Sequence, residues 1–135
     1  MATLLQIDDL PRTDELRRRQ AVEQGLPVKM LRALMSDGAI GLHHLTRVIA
    51  PRRTLERRLR NGERLTVEES DRLARLVRVL DLATHTFGDR TKAIQWLSEP
   101  KRAFAGAAPL DLIRTSVGSD EVENFFHRAA HGMLA

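Results

Sequence analysis

The sequence predicts an all-α protein, and three observations carry that prediction. Leu, Ala, Arg and Glu dominate, while the chain holds one Trp, four Phe and no Tyr, a composition that favours helix. Apolar residues recur at three- and four-residue spacing along most of the chain. No β-alternation, Asn-Gly hairpin signal or internal repeat interrupts that pattern.

The elements follow in order. Residues 1–12 read as an arm ended by Pro11, and Thr13 can cap a helix from Asp14 to Gln24, with acids in its first turn and Gly25 as its stop. A second helix takes Pro27 into its first turn and ends at Gly38, burying Val28, Leu31, Leu34 and Met35. Leu42, Leu45, Val48 and Ile49 mark a short third helix, which Pro51 breaks by disfavouring helical geometry at Ala50. A fourth runs from about Arg52 to Asn61 and stops at Gly62. Thr66 and Glu69 form a capping box for a fifth, whose stripe is Leu73, Leu76, Val77 and Leu80 and which reaches about Phe87. Asp89 caps a helix carrying Ala93, Ile94, Trp96 and Leu97, halted by Pro100. The small-residue stretch KRAFAGAA reads as a loop, and Pro109 starts a short helix through Leu112 and Ile113. The last helix displays Val122, Phe125, Phe126 and Ala129 before Gly132. The expected organisation is residues 1–24 as arm and first helix, 25–86 as one helical domain and 87–135 as a second.

With 135 residues, 42% of them hydrophobic, the chain suits one compact domain or two very small ones. No stretch approaches the roughly 20 apolar residues of a membrane span, and the N-terminus lacks a signal-peptide core. The absence of cysteine excludes disulfides and thiolate metal sites, so the expected location is a reducing cytoplasm.

The net charge of +4 is unevenly spread. Residues 84–135 hold six basic and six acidic side chains, so all the excess lies upstream. Residues 47–64 alone carry seven arginines against Glu56 and Glu63, a patch that draws nucleic acid or another polyanion. With Leu55 and Leu59 at the centre of the buried face of helix 52–61, a step of 100° per residue puts Arg53, Arg57 and Arg60 on the opposite side, flanked by Thr54 and Arg58. Taken alone, that face fits a solvated helix as well as a DNA grip. Its setting decides: two short helices joined by a tight turn, the second one basic outward, is the pattern of a helix-turn-helix. Arginine there can bind guanine bidentately or clamp phosphates. The candidate DNA-binding residues are Arg47, Arg52, Arg53, Thr54, Arg57, Arg58 and Arg60. The lack of stacking aromatics near them argues against RNA.

His127 and His131 are four apart on one helix, yet no Glu follows His127 and no third ligand is evident, so they read as surface histidines. Glu68, Glu69 and Asp71 suit a negatively charged helix N-terminus rather than acid–base chemistry. No phosphate-binding glycine loop, nucleophile elbow or catalytic triad can be assembled, so neither an enzyme nor a cofactor is expected.

Residues 84–135 resemble the toxin-binding domain of the Xre/MbcA/ParS antitoxins. The matching residues are Phe87-Gly88-Asp89, Ala93, Trp96-Leu97, Pro100, the turn from Pro109 to Ile113, Gly118, Val122 and His131-Gly132. Upstream, GLPVKML, RRTLERRLRNG and LTVEESDRLARL resemble the helix-turn-helix of the same proteins. A Tyr often stands in relatives where this chain has His131. The resemblance implies a type II toxin–antitoxin pair whose toxin is a RES-domain protein that consumes NAD or transfers ADP-ribose from it. It further implies that the antitoxin closes the toxin's active site with its C-terminal helix and tail, and that an antitoxin homodimer represses its own promoter. On that basis the candidate toxin-binding residues are Trp96, Arg114, Phe126, His131, Gly132, Met133 and Leu134, with Phe104 and Phe125 as further large side chains. The residues alone also accommodate a stand-alone transcription regulator with a dimerising or ligand-sensing C-terminal module, or a helical adaptor with no DNA role.

Overall fold

In the computed structural model, which describes residues 15–132, every regular element is helical. The helices are α1 (Glu15–Gln24), α2 (Lys29–Met35), α3 (Leu42–Val48), α4 (Arg52–Asn61), α5 (Val67–Phe87), α6 (Arg90–Ser98), α7 (Pro109–Leu112) and α8 (Ser116–Ala130), with one 3-10 turn at Arg102–Phe104. The expected arm, the Thr13 cap, Met133 and Leu134 lie outside the described residues. None of the described helices is long and apolar enough to cross a membrane.

The chain divides into two compact units, one ending at Ala74 and the other beginning at Arg75. That division falls inside α5. The reason is physical: α5 runs unbroken for 21 residues, and from Arg75 onward its side chains serve the C-terminal unit. Arg75 donates to the carbonyls of Ile113 (3.0 Å) and Arg114 (2.8 Å), and Arg78 pairs with Glu123 at 2.8 Å.

In the N-terminal unit, Leu31 and Leu34 of α2, Leu45 and Val48 of α3, Leu55 of α4 and Leu73 of α5 are buried together with Leu26, Ile40, Ile49 and Leu65. Met35, expected in that stripe, is half-buried. The buried Ser70 hydroxyl accepts from the Leu26 amide at 2.8 Å, satisfying both polar groups inside the core. Helix α1 contributes no buried residue; its Arg18 donates to the Ala74 carbonyl at 3.1 Å.

The C-terminal unit buries Leu76, Val79 and Leu80 of α5, Ile94 and Leu97 of α6, Leu110 of α7, and Val122 and Phe126 of α8. Asp89 caps α6 as expected, accepting from the Lys92 amide at 2.7 Å, and Thr115 caps α8 by accepting from the Gly118 amide at 3.1 Å. The segment expected as a plain loop instead winds into the 3-10 turn. Phe104 N donates to the Lys101 carbonyl, Ala105 turns back at φ 55°, and Phe104 is carried into the core.

Candidate nucleic-acid and partner-binding surfaces

Helices α3 and α4 are separated by only Ile49, Ala50 and Pro51. Pro51 stands before α4 in extended geometry (φ −57°, ψ 152°), and Gly62 ends the helix in the left-handed region at φ 67°, a conformation that favours glycine. Leu55 is buried and Leu59 half-buried, so the 100° arithmetic from the sequence places the outward residues where the structure has them. Arg52, Arg53, Arg57 and Arg60 are exposed, Thr54 is half-buried on the flank, and Arg47 of α3 is half-buried.

The arginines of α4 do not behave alike. Arg53 and Arg60 form no ion pair or hydrogen bond among the described residues. Arg52 lies 3.4 Å from Glu56, one turn on, in a pair exposed enough to be worth little. Arg57 reaches Glu63 at 3.3 Å. Glu63 also accepts from Asn61 and Arg58, both at 3.0 Å. Its carboxyl is held below the ordinary range, chiefly by the hydrogen bond from Asn61, with Arg57 and Arg58 adding to it and desolvation opposing it.

Arg58 departs from the expected DNA-facing set. Its side chain is only 11% exposed and turns inward, where Nε and Nη2 donate to the two oxygens of Glu69 at 2.7 and 3.1 Å. The flanking position on the helical wheel permits this, because Glu69 at the start of α5 lies beneath that flank. Glu69 also completes the expected capping box: Thr66 N donates to it at 2.9 Å, and its own amide donates to Thr66 Oγ1 at 3.1 Å.

In the first turn of α3, His44 Nδ1 accepts from the amide of Gly41, which precedes the helix, at 3.0 Å. Burial, then the charges of His43 and Arg47, lower its pKa below the ordinary histidine value. Its ring lies 3.9 Å from that of His43, centroid to centroid.

In the C-terminal unit, every aromatic residue of the chain joins one cluster. Trp96 stacks on Phe125 with centroids 5.3 Å apart and planes 29° from parallel; Phe87 and Phe126 lie at the same distance from Trp96. Phe104 reaches both Phe125 and Trp96, at 5.3 and 6.4 Å. Lys101 Nζ sits 4.9 Å from the Trp96 ring centroid, a cation–π contact. Trp96 and Phe125 are half-buried. Phe126, a candidate contact, is 2% exposed, and Phe104 is 6% exposed. Both pack against the Trp96 ring from within, and helical periodicity groups Phe126 with Val122 on the inner stripe of α8. Arg114, His131 and Gly132 are exposed, and the His131 ring folds back to 2.7 Å from the His127 carbonyl. Among the described residues no cluster of His, Cys, Asp or Glu has the makings of a metal site.

Comparison with known proteins gives these two surfaces a common frame. Residues 17–78 match the sequence model of the antitoxin Xre-like helix-turn-helix domain, and residues 82–132 match that of the antitoxin Xre/MbcA/ParS C-terminal toxin-binding domain. An antitoxin Xre of Pseudomonas putida is 33% identical over 132 residues, covering 98% of this chain and 81% of that protein. The chain belongs to the Xre/MbcA/ParS antitoxin family. A second family member, the antitoxin Xre of Photorhabdus laumondii, is 32% identical over 84% of this chain and 78% of its own length. A third, from Yersinia enterocolitica, is 42% identical over 63% of this chain and 58% of its own length. The α3–α4 pair lies within the helix-turn-helix match, and the whole aromatic cluster lies within the match to the toxin-binding domain.

Proposed function

We propose that this chain is the antitoxin of a toxin–antitoxin pair, neutralising a RES-domain toxin with its C-terminal unit and repressing its own promoter, as a homodimer in the cytoplasm, through α4. The observation that carries this reading is the end-to-end likeness to an antitoxin Xre, in which both parts of the chain keep a family counterpart. The toxin class comes from the resemblance of residues 84–135 to partners of RES proteins that consume NAD or transfer ADP-ribose. Inhibition of that kind needs no chemistry from the antitoxin, only a packed surface that competes with substrate. Trp96, Arg114, His131 and Gly132, with Met133 and Leu134 beyond them, are the proposed contacts, and Phe126 acts from below. For DNA, Arg53 and Arg60 are the side chains best placed to meet a duplex, with Arg57, Arg52, Thr54 and Arg47 around them.

Co-expression tests the first half. The chain should rescue growth from the protein encoded next to its own gene; failure to rescue, with both proteins made and folded, refutes the antitoxin assignment. Truncation at Gly132 should weaken rescue and spare promoter binding. For the second half, replacing Arg53, Arg57 and Arg60 together by Ala should abolish retardation of promoter DNA with unchanged helicity. Retardation equal to that of the wild type would remove α4 from the reading.

A further inference from the structure

Arg57 and Arg58 are sequence neighbours, yet their side chains part. The Arg58 guanidinium meets Glu69 fork to fork, at 2.7 and 3.1 Å, and spends its third nitrogen on Glu63 at 3.0 Å. Both partners of the Arg58–Glu69 pair are nearly inaccessible, with side-chain exposures of 11% and 9%. The same Glu69 carboxylate closes the capping box at the start of α5. One buried carboxylate therefore ties the middle of α4 to the first turn of α5.

Apolar packing does not supply this tie. In ten residues of α4, Leu55 alone is fully buried and Leu59 is half-buried, a narrow apolar stripe that restrains the roll of the helix only weakly. A planar bidentate fork fixes direction as well as distance, which a lysine cannot do. Two further arginines hold carbonyls of the helix pair: Arg32 of α2 donates to the Leu59 carbonyl in α4, and Arg72 of α5 to the Ile49 carbonyl in the turn between α3 and α4, at 3.0 Å. A buried ion pair is often no more stabilising than an apolar replacement, and its recurrent use is to select one arrangement.

We propose that Arg58, acting through Glu69, is a positioning residue for DNA recognition. It sets the roll of α4 so that Arg53, Arg57 and Arg60 meet the duplex together, and it makes no DNA contact itself. This rests on the reading of α4 as the DNA-facing helix.

The test is a double-mutant cycle on the full chain, Arg58→Met, Glu69→Gln and both together. Affinity for a duplex covering its own promoter is measured at a temperature where circular dichroism shows each variant folded. Each single variant should weaken binding about tenfold, and the double variant should be no weaker than either single one. If Arg58→Met costs further affinity in the Glu69→Gln background, Arg58 touches DNA and the proposal is overturned. Wild-type affinity in the double variant overturns it as well, by showing that the pair only stabilises the fold. Should Arg58→Met not fold, Arg58→Lys takes its place, losing the fork and keeping the charge. A wild-type chain that does not bind the duplex removes the DNA reading itself, and this inference with it.

Discussion

Replacing Gly118 by Ala should destabilise the C-terminal unit, although the same change on an exposed helix ordinarily stabilises. Gly118 lies in the first turn of α8, where alanine would gain about 1 kcal/mol of helix propensity. The added methyl, however, would stand 2.1 Å from the Leu112 carbonyl oxygen and 2.9 Å from its carbon. Ordinary contact begins near 3.4 Å, so the carbonyl would have to retreat by about 1.3 Å. Retreat is resisted at the next two residues, whose carbonyls are held by Arg75. Overpacking of this kind costs about 1–3 kcal/mol. Against rigid backbone the upper end applies, leaving a net loss of about 2 kcal/mol. For a unit of this size that lowers the melting temperature on the order of 10 °C. Trp96 is the only tryptophan of the chain and sits in the affected unit, so its fluorescence during urea or thermal unfolding reads the event directly. A midpoint equal to or above that of the wild type would show that α7 and α8 do not approach as closely as the structure has them.

Two further perturbations test the local chemistry. His44 is a base whose folded pKa is depressed, so the unfolded chain takes up its proton first as the pH falls. Its contribution to stability is therefore complete above about pH 6.5 and declines below that, as the proton displaces the acceptor for Gly41. His44→Gln keeps an acceptor without a titration, and should lose less melting temperature on acidification; identical acid losses in the two proteins would exclude this role. Asp89→Ala removes the cap of α6 and should cost about 1 kcal/mol, with Asp89→Ser recovering most of it in the same fluorescence assay. Equal stability of all three would mean that the Lys92 amide is as well served by water.

What the sequence disclosed was what is decided locally. Pro51, Gly62, the Thr66–Glu69 box, Asp89 and Pro109 each act on backbone within four residues of themselves, and the helices begin and end where those residues direct. Arg58 could not be read that way. By residue type it matches Arg57, and its partner lies 11 positions further on, across a loop, in a carboxylate already committed locally to Thr66. Which of Phe125 and Phe126 is enclosed could not be read from residue type, for a related reason. Phe125 and Phe126 are adjacent and chemically identical, and only their places relative to Val122 separate the half-buried ring from the buried one. The division between units was invisible because the apolar stripe of α5 continues through it without a Gly, a Pro or a change of period. KRAFAGAA has no period at all, and only the packing of Phe104 reveals that it is ordered.

The same contrast bears on how the two surfaces work. On the proposed reading, each presents a few outward side chains whose orientation is set by inward neighbours of the same chemical kind. In α4 the inward arginine is held by a carboxylate, so the outward ones project from a helix that cannot roll freely. In the C-terminal unit, Phe104 and Phe126 are enclosed, and the half-buried rings of Trp96 and Phe125 rest on them. Ordering a large side chain at an interface costs roughly 0.5–1.5 kcal/mol. A ring fixed before the partner arrives avoids most of that loss, and Lys101 over the Trp96 face restricts it further. The buried members of each set are therefore part of recognition without touching the partner. Substitutions at Arg58 or Phe126 would weaken binding by disordering neighbours, whereas substitution of an outward residue, such as Arg53, would remove its own contact and leave its neighbours in place.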